Sequence, residues 1–464
     1  MEDDFTNDMD LLIGNFIAYL LFFLYLLKAN KYRLNLQSFV ALNFVIVAFL
    51  GYYTFKTGIY QKTFGYKDVT TLSIVPYILC LAMVVMLILP LRQIETVRKM
   101  DTHTGLGISE KWQNYISFAF LGLVIVYFYM NQLLVSQRSE FVEYDEIYEN
   151  MASGNLEKFD SPILNTIYFR LITLIRLLSP FIYYFQFSIL ANKKKKESKV
   201  LPLVLIFGSF ILSVFPDIES ASRGAMYFSA MQLCFFMFIY FRSFTPGVKL
   251  FTVVAISGSI LLLVIFSMAI SYSRFGEGKE GNEQIFRYFG EPYPNLGFNV
   301  WNKNIRHPYG KRYFPRLTTG SGKSFAGRED RFTYWERKVG IPMLNLKTIF
   351  GDLYVEFGAL GAFVVVALWL LLLHFCLYKA RGDSLATVIL LYYAYNIVVY
   401  GLFNNHLSED TLKEFFYSII IILVIRFVAK KMKEKNDLAR HLYERQRKGR
   451  YGYYYSDNDY KDKQ

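Results

Sequence analysis

The sequence predicts an all-α polytopic membrane protein, and two properties of the chain support that prediction. Of its 464 residues, 54% are hydrophobic, and the mean hydropathy is +0.25. Apolar runs of about 17–25 residues, the length that a helix needs to cross a bilayer, recur along the chain. Helices are the element expected in such runs because lipid cannot satisfy backbone N–H and C=O groups. We therefore expect one integral membrane domain over residues 1–464.

About 11 transmembrane helices are predicted, each from one apolar run. The connections between them are short, except for the polar segment 272–345, and a basic, then Tyr- and Asp-rich tail follows over 429–464. The predicted spans are 11–27, 39–53, 72–89, 116–134, 163–190, 200–215, 225–241, 250–270, 349–378, 385–403 and 415–428.

Lys and Arg residues are concentrated in alternate connections, and this pattern predicts the orientation of the chain. They follow the odd-numbered spans, with the densest cluster from Lys193 to Lys196, whereas the connection 136–162 is acidic. Basic connections stay in the cytoplasm. The N-terminus is therefore predicted outside and the tail 429–464 inside, which places the segment 272–345 outside. The net charge of +13 is assigned to orientation, and no nucleic-acid partner is predicted.

The segment 272–345 is rich in basic and aromatic residues. It holds 13 Lys and Arg residues and 7 Asp and Glu residues, a net charge of +6. Arginine binds phosphate through a fork of N–H donors, and aromatic faces suit the C–H faces of sugar rings. We interpret the segment as the lid or wall of a site for an anionic, sugar-bearing ligand; the alternative is a solvated loop. The residues assigned to ligand binding here are Arg274, Arg287, Trp301, Arg306, Arg312 and Arg316.

Charged residues inside or at the ends of the predicted spans are further candidates for ligand binding. Arg170 and Arg176 lie within the fifth span, where a central arginine costs about 2.5–3.5 kcal/mol on insertion scales. Asp352 and Glu356, at the outer start of the ninth span, share a helix face because they are four residues apart. The alternatives are snorkelling or a structural ion pair for the arginines, and complementing the helix dipole for the acids.

Three residues are candidates for catalytic work. Arg223 opens the seventh span at the depth of a lipid headgroup, although an ion pair with Asp217 or Glu219 is the alternative. His307 and Glu291 are rival general bases in the segment 272–345, since an imidazole or a carboxylate can accept a hydroxyl proton. The alternative for His307 is a solvated side chain.

Neither a cofactor nor a metal site is predicted. The three cysteines, Cys80, Cys234 and Cys376, each lie inside an apolar run. Their positions therefore indicate neither a disulfide framework nor a metal centre.

Three features together resemble a known family. They are the Ser222-Arg223-Gly224 stretch, the long outer segment 272–345, and the glycine-punctuated segment from Gly351 through Gly358 to Gly361. In this layout the chain resembles the Wzy-type oligosaccharide repeat-unit polymerases of O-antigen and capsular polysaccharide. Arg316 and Gly327 also have the Arg-x10-Gly spacing of some members, but a second copy in an earlier outer loop is missing. That absence leaves a two-loop mechanism without support.

The resemblance implies a metal-independent glycosyltransferase of the bacterial inner membrane. Its substrate would be an oligosaccharide linked to undecaprenyl pyrophosphate, and its partners would include membrane lipid, a chain-length regulator and a flippase of the same pathway. The acceptor hydroxyl would attack the anomeric carbon, and lipid pyrophosphate would leave. Two alternatives stay open: an O-antigen ligase-like transferase and, from another class, a lipid-linked oligosaccharide flippase.

Overall fold

The structure, a computed structural model, describes residues 2–64, 72–97, 109–137, 159, 161–192, 199–219, 223–276, 278–320, 325, 328–343 and 346–458. Its secondary structure over these ranges is helical, with no β-strand. The all-α prediction is therefore confirmed.

The helices in the first part of the described chain lie before the polar segment, except that the last turn of the final one enters it. They are α1 Glu2–Ala29, α2 Leu36–Lys56, α3 Ile59–Phe64, α4 Val75–Ile88, α5 Ile94–Val97, α6 Glu110–Gln137, α7 Pro162–Ala191, α8 Val200–Glu219, α9 Arg223–Tyr240 and α10 Pro246–Phe275. The helices in the second part are α11 Lys279–Gly290, α12 Pro292–Asn295, α13 Pro315–Thr319, α14 Arg328–Val339, α15 Thr348–Lys379, α16 Ser384–Tyr400 and α17 Glu409–Asn458.

Seven of the described helices are long and apolar enough to cross a membrane. Two shorter apolar helices, Val200–Val214 and Ser384–Tyr400, accompany them, and each predicted span lies largely on a helix. Large apolar side chains cover the outside of the bundle, for example Leu261 at 60% and Leu371 at 65% exposure. Such a surface suits a lipid environment. The membrane-embedded character is thus supported, while the number of 11 spans stays a prediction. The seven helices that are long and apolar enough to cross a membrane cover Asn7–Ala29, Leu36–Lys56, Val75–Gln93, Glu110–Leu134, Pro162–Ala191, Pro246–Ser273 and Thr348–Lys379.

Helix α16 lies at the centre of the bundle. It has no charged residue, and nearly all of its side chains are buried; a helix that is apolar all round is expected in such a position. Its N-terminus is capped by Asp383, whose Oδ1 accepts the Ala386 N–H at 2.8 Å. It packs against α4, α7, α9, α15 and α17, so neighbouring helices cover it on several sides.

The C-terminal end of α16 is tied to the start of α15 and, through the polar segment, to the start of α17. The N–H groups of Lys347 and Thr348 both donate to the Phe403 carbonyl, at 2.9 and 3.1 Å. The N–H of Glu409 donates to the Tyr313 carbonyl at 2.9 Å. One end of the bundle therefore carries a connected polar layer, and the segment 272–345 contributes helices α11 to α14 to it.

The tail continues the last helix. Helix α17 runs without interruption from Glu409 to Asn458, so the described part of the predicted tail 429–464 is helical. The cytoplasmic placement of this tail, and with it the orientation of both termini, stays a prediction.

Candidate functional site

A buried ion-pair cluster joins the polar segment to α15. Arg312 Nε lies 3.1 Å from Glu356 Oε2, and Arg312 Nη2 lies 3.1 Å from Asp352 Oδ1. The same Nη2 donates to the Asp352 carbonyl at 3.2 Å, and the Arg312 N–H donates to Glu356 Oε1 at 3.0 Å. The Glu356 side chain is 0% exposed and that of Arg312 only 12%. Because one guanidinium bridges two carboxylates in a largely buried site, the cluster fixes the segment in one position.

Gly358 breaks α15 directly after this cluster. Its φ of 74° and ψ of 175° are not helical, and a positive φ favours glycine. The carbonyls of the preceding turn then need other partners. His307 Nδ1 donates to the Val355 carbonyl at 3.0 Å, and the Tyr309 N–H donates to the Glu356 carbonyl at 2.9 Å. The polar segment therefore caps the first part of α15.

Lys347 is a second buried cation near the cluster. Its Nζ donates to the Met343 carbonyl at 3.2 Å. Burial lowers the pKa of Lys347 to about 8, although the carboxylates of Asp352 and Glu291 oppose this shift. Glu291 is also buried, and its Oε1 accepts the Leu346 N–H at 3.3 Å. These charges hold the base of the polar segment together.

A cavity of about 620 Å³ opens beside the cluster, and we name it the loop cavity. Its charged lining consists of five basic and three acidic side chains among the described residues. Aromatic rings from the polar segment also line the cavity. The lining residues are Lys311, Arg312, Tyr313, Pro315, Arg316, Phe325, Arg331, Phe332, Trp335, Met343, Leu346, Asp352, Asn404, Asn405, Ser408, Glu409, Asp410 and Lys413.

The rim of the loop cavity is more exposed than its floor. The Arg316 side chain is 67% exposed, and its Nε lies a loose 3.7 Å from Glu409 Oε1. Lys413 Nζ lies 2.8 Å from the same oxygen. Although desolvation favours the neutral carboxyl, the hydrogen bonds from Lys413 and the Arg316 N–H hold the pKa of Glu409 below its ordinary value. Two rim cations thus share one carboxylate, which leaves N–H donors for an anion.

A second cavity, of about 170 Å³, lies between the helices of the bundle, and we name it the bundle cavity. Hydroxyl, amide and aromatic side chains dominate its lining, which includes one arginine and one glutamate. The lining residues are Phe120, Tyr127, Ile172, Ile175, Arg176, Ser179, Tyr183, Ser209, Ser213, Phe228, Ser229, Gln232, Tyr392, Tyr393, Asn396, Tyr400, His406 and Glu414.

The charged groups of the bundle cavity are loosely paired. Arg176 Nη1 lies 3.8 Å from Glu414 Oε1, and the Arg176 side chain is 66% exposed. The His406 ring stacks on that of Tyr400, with the ring centroids 3.9 Å apart and the planes 10° from parallel. Burial, and then the charge of Arg176, lower the pKa of His406 to about 4. His406 is therefore neutral at pH 7.

Several predicted site residues come together, while others lie elsewhere. Arg312, Asp352 and Glu356 form the ion-pair cluster, and the first two line the loop cavity with Arg316. Arg176 lines the bundle cavity.

The remaining loop candidates do not line either cavity. Glu291 and His307 bond to backbone groups as described above. Trp301 packs against Phe350 and Tyr354, Arg287 lies 3.9 Å from Glu291, and Arg306 is exposed.

Three further predicted residues are placed only by their positions on helices. Arg170 is exposed on the surface of α7. Arg223 is the first residue of α9, and Arg274 lies in the last turn of α10; the side chains of both lie outside the described part. Their assignments therefore stay predictions.

The sequence prediction missed the contribution of the connection between α16 and α17. Asn405, Glu409 and Lys413 line the loop cavity, and His406 and Glu414 line the bundle cavity. The signal was a run of polar residues over 404–414 that directly precedes the last apolar span. Intramembrane or span-end polar groups of this kind indicate a functional site.

No group of three or more His, Cys, Asp or Glu side chains in the described ranges is placed to hold a metal ion. No family model matches the chain, and no curated protein or solved structure matches it either. The function must therefore be argued from the site itself.

Proposed function

We propose that the protein is a membrane glycosyltransferase that polymerises undecaprenyl-pyrophosphate-linked oligosaccharide repeat units. The observation that supports this proposal is the loop cavity. It combines an excess of basic side chains with aromatic walls, and it lies where the polar segment meets the ends of apolar helices. A ligand with a pyrophosphate, sugars and an isoprenoid tail has the matching chemistry, since its three parts need cations, aromatic faces and lipid respectively.

In this proposal exposed cations of the loop cavity bind the pyrophosphate. Arg316 and Lys311 are exposed at the cavity, so they can contact the ligand without breaking a buried pair. When the acceptor hydroxyl attacks the anomeric carbon, the bond from that carbon to the phosphate oxygen breaks, and a carboxylate of the cavity lining accepts the hydroxyl proton. The departing pyrophosphate gains negative charge, and fixed cations that face it lower the barrier. Trp335 and Phe332 provide ring faces for the sugar next to the phosphate.

Arg312 has a different role in the proposed reaction. Its Nε and Nη2 bond to Glu356 and Asp352, so it holds the cavity floor in shape rather than binding the ligand through a free fork.

The reaction would take place at the outer face of the bacterial inner membrane, because the charge pattern of the connections predicts the polar segment there.

The direct test is polymer formation by the purified protein. The protein in lipid nanodiscs would be incubated with undecaprenyl-pyrophosphate-linked glycan extracted from the cells that make it naturally. A ladder of longer glycans is expected from the wild-type protein. Arg316→Ala with Lys311→Ala should abolish the ladder, whereas Lys303→Ala, at an exposed cation of the same segment outside both cavities, should retain it. Absence of a ladder from the wild-type protein would reject the proposal.

The bundle cavity favours one alternative from another class, a lipid-linked oligosaccharide transporter. Polar and ionisable side chains between membrane helices often mark a transport path. The two functions differ in what they change: a transporter moves the glycan across the bilayer and leaves its length unaltered. Proteoliposomes with a fluorescent lipid-linked glycan would distinguish them, because quencher accessibility would change without any ladder if the protein is a transporter. An O-antigen ligase-like transferase would instead add the glycan once to a different acceptor.

A further inference from the structure

The bundle cavity is a polar space that the proposed chemistry of the loop cavity does not use. Polar groups among apolar helices are costly unless they find partners. Most of the lining groups have partners in the protein; for example, Gln232 Nε2 donates to Ser179 Oγ at 2.7 Å. The hydroxyl of Ser209, on α8, does not. It is 1% exposed and has no hydrogen-bond partner among the described residues.

The buried Ser209 hydroxyl without a hydrogen-bond partner indicates a ligand that carries hydroxyl groups. Buried side-chain hydroxyls are nearly always hydrogen-bonded, and Ser209 lines the cavity. Glu414 faces the same space, and its ion-pair partner, Arg176, is 3.8 Å away. A carboxylate accepts strong hydrogen bonds from hydroxyl donors. The cavity thus presents a charged acceptor and an unused hydroxyl to whatever fills it.

The charge and size of the cavity limit the ligand further. Its lining contains one arginine and one glutamate, whose charges cancel, and His406 is neutral. The lining therefore has no net charge. The volume of about 170 Å³ equals that of roughly six water molecules at about 30 Å³ each, which is the scale of one sugar ring. Eight aromatic rings, counting His406, surround this space and offer flat apolar faces. An uncharged sugar fits these properties, whereas a pyrophosphate does not.

We propose that the bundle cavity binds an uncharged sugar of the acceptor glycan. This inference rests on the proposed glycosyltransferase function and adds a location for the second substrate. Glu414 and Ser209 hydrogen-bond the sugar hydroxyls. Neighbouring residues of one segment line the two cavities: Lys413 faces the loop cavity and Glu414 the bundle cavity. Donor and acceptor therefore bind on the two sides of the segment 404–414.

The test uses two probes that separate the cavities. Inorganic pyrophosphate reports on the loop cavity. The phosphate-free oligosaccharide, released by mild acid from the extracted lipid-linked repeat unit, reports on the bundle cavity. Binding of each to the full-length protein in nanodiscs would be measured by calorimetry. This readout needs no turnover, so it stays informative if the polymerisation assay fails.

Two variants perturb the bundle cavity in different ways. Ser209→Leu fills it with an apolar side chain and should abolish oligosaccharide binding. Glu414→Gln keeps the shape but removes the charged acceptor, which should weaken oligosaccharide binding on the order of tenfold because hydrogen bonds to charged groups are the stronger ones. Pyrophosphate binding should be unchanged in both, which also shows that the variants fold. Ser257→Leu, on the exposed face of α10, is the matched control.

Two results would overturn the inference. The first is oligosaccharide binding that is unchanged in both Ser209→Leu and Glu414→Gln while pyrophosphate binding is intact. The second is loss of oligosaccharide binding in Arg316→Ala with Lys311→Ala, since that result would place the sugar in the loop cavity. If the wild-type protein binds both probes but forms no polymer, the proposed reaction fails while the second binding site stands.

Discussion

The two cavities share the segment 404–414 as a wall, but they differ in how deeply their charged side chains are buried and how tightly these are paired. The loop cavity has a floor in which Arg312 is locked between two carboxylates, and a rim of exposed cations. The bundle cavity has one arginine, 66% exposed, that touches Glu414 only loosely. Burial therefore decides what an arginine does here: the buried one maintains structure, and the exposed ones remain available to a ligand.

The largest expected difference between the cavities is in stability. Arg312→Leu leaves Asp352 and Glu356 buried without their cation, which should cost about 3–5 kcal/mol of folding free energy. Arg176→Leu removes an exposed, loose pair and should cost less than about 1 kcal/mol. Thermal unfolding of the two purified variants in detergent would measure both effects. Equal losses would contradict the view that Arg312 is structural and Arg176 is not.

The break in α15 should have the next largest effect. Gly358→Ala places a side chain at a φ of 74°, and a non-glycine residue in a left-handed conformation costs about 1–3 kcal/mol. The hydrogen bonds from His307 and Tyr309 to the first part of α15 should loosen with it. Gly14→Ala, at a helical position with open space around it, is the matched control. A Gly358→Ala variant with unchanged Tm would mean that the polar segment does not need this break.

These first two effects show how far the sequence could predict the site. Hydrophobic run length located the membrane helices, and the i, i+4 spacing of Asp352 and Glu356 identified a shared face. Their partner Arg312 lies 40 residues away, and nothing in its local sequence distinguishes it from its basic neighbours. The sequence marks Gly358 only as one glycine of a punctuated segment, whereas the structure shows a positive φ there, which only the surrounding fold can impose.

The bundle cavity was the harder part to predict. Its polar residues come from six helices and one connection, with one to four residues from each. Each serine or glutamine looks unremarkable inside its own apolar run. Only the packing of α6 to α9, α16 and α17 in one bundle brings them to one space. Arg176 was recognisable because a charge within an apolar span is rare, whereas Ser209 carried no such signal.

The bundle cavity should also make stability depend on pH. His406 has a folded-state pKa of about 4 and an ordinary value near 6.5, so below pH 6.5 the unfolded state binds more protons. Stability should therefore fall as the pH falls from about 6.5 towards 4, by about 1 kcal/mol at pH 5.5. Arg176 and Glu414 are the charged groups that line the same cavity. The Tm of His406→Gln should decline less steeply over this range than that of the wild type, and parallel curves would count against a buried neutral His406.

The smallest expected effect is the salt dependence of ligand binding, which tests the difference in net charge between the two cavities most directly. If exposed cations bind pyrophosphate in the loop cavity, screening must weaken that binding, because the Debye length falls from about 10 Å at 0.1 M salt to about 3 Å at 1 M. We expect the Kd of pyrophosphate to rise several-fold over that range.

The bundle cavity has no net charge, so the Kd of the phosphate-free oligosaccharide should change by less than about twofold, since hydrogen bonds to an uncharged ligand involve little long-range Coulomb energy. Calorimetric titrations at the two salt concentrations would measure both constants, with potassium chloride used in parallel to exclude a sodium effect. Equal salt dependence of the two probes would mean that both bind to the same charged surface, and the division between an anionic and a neutral site would have to be abandoned.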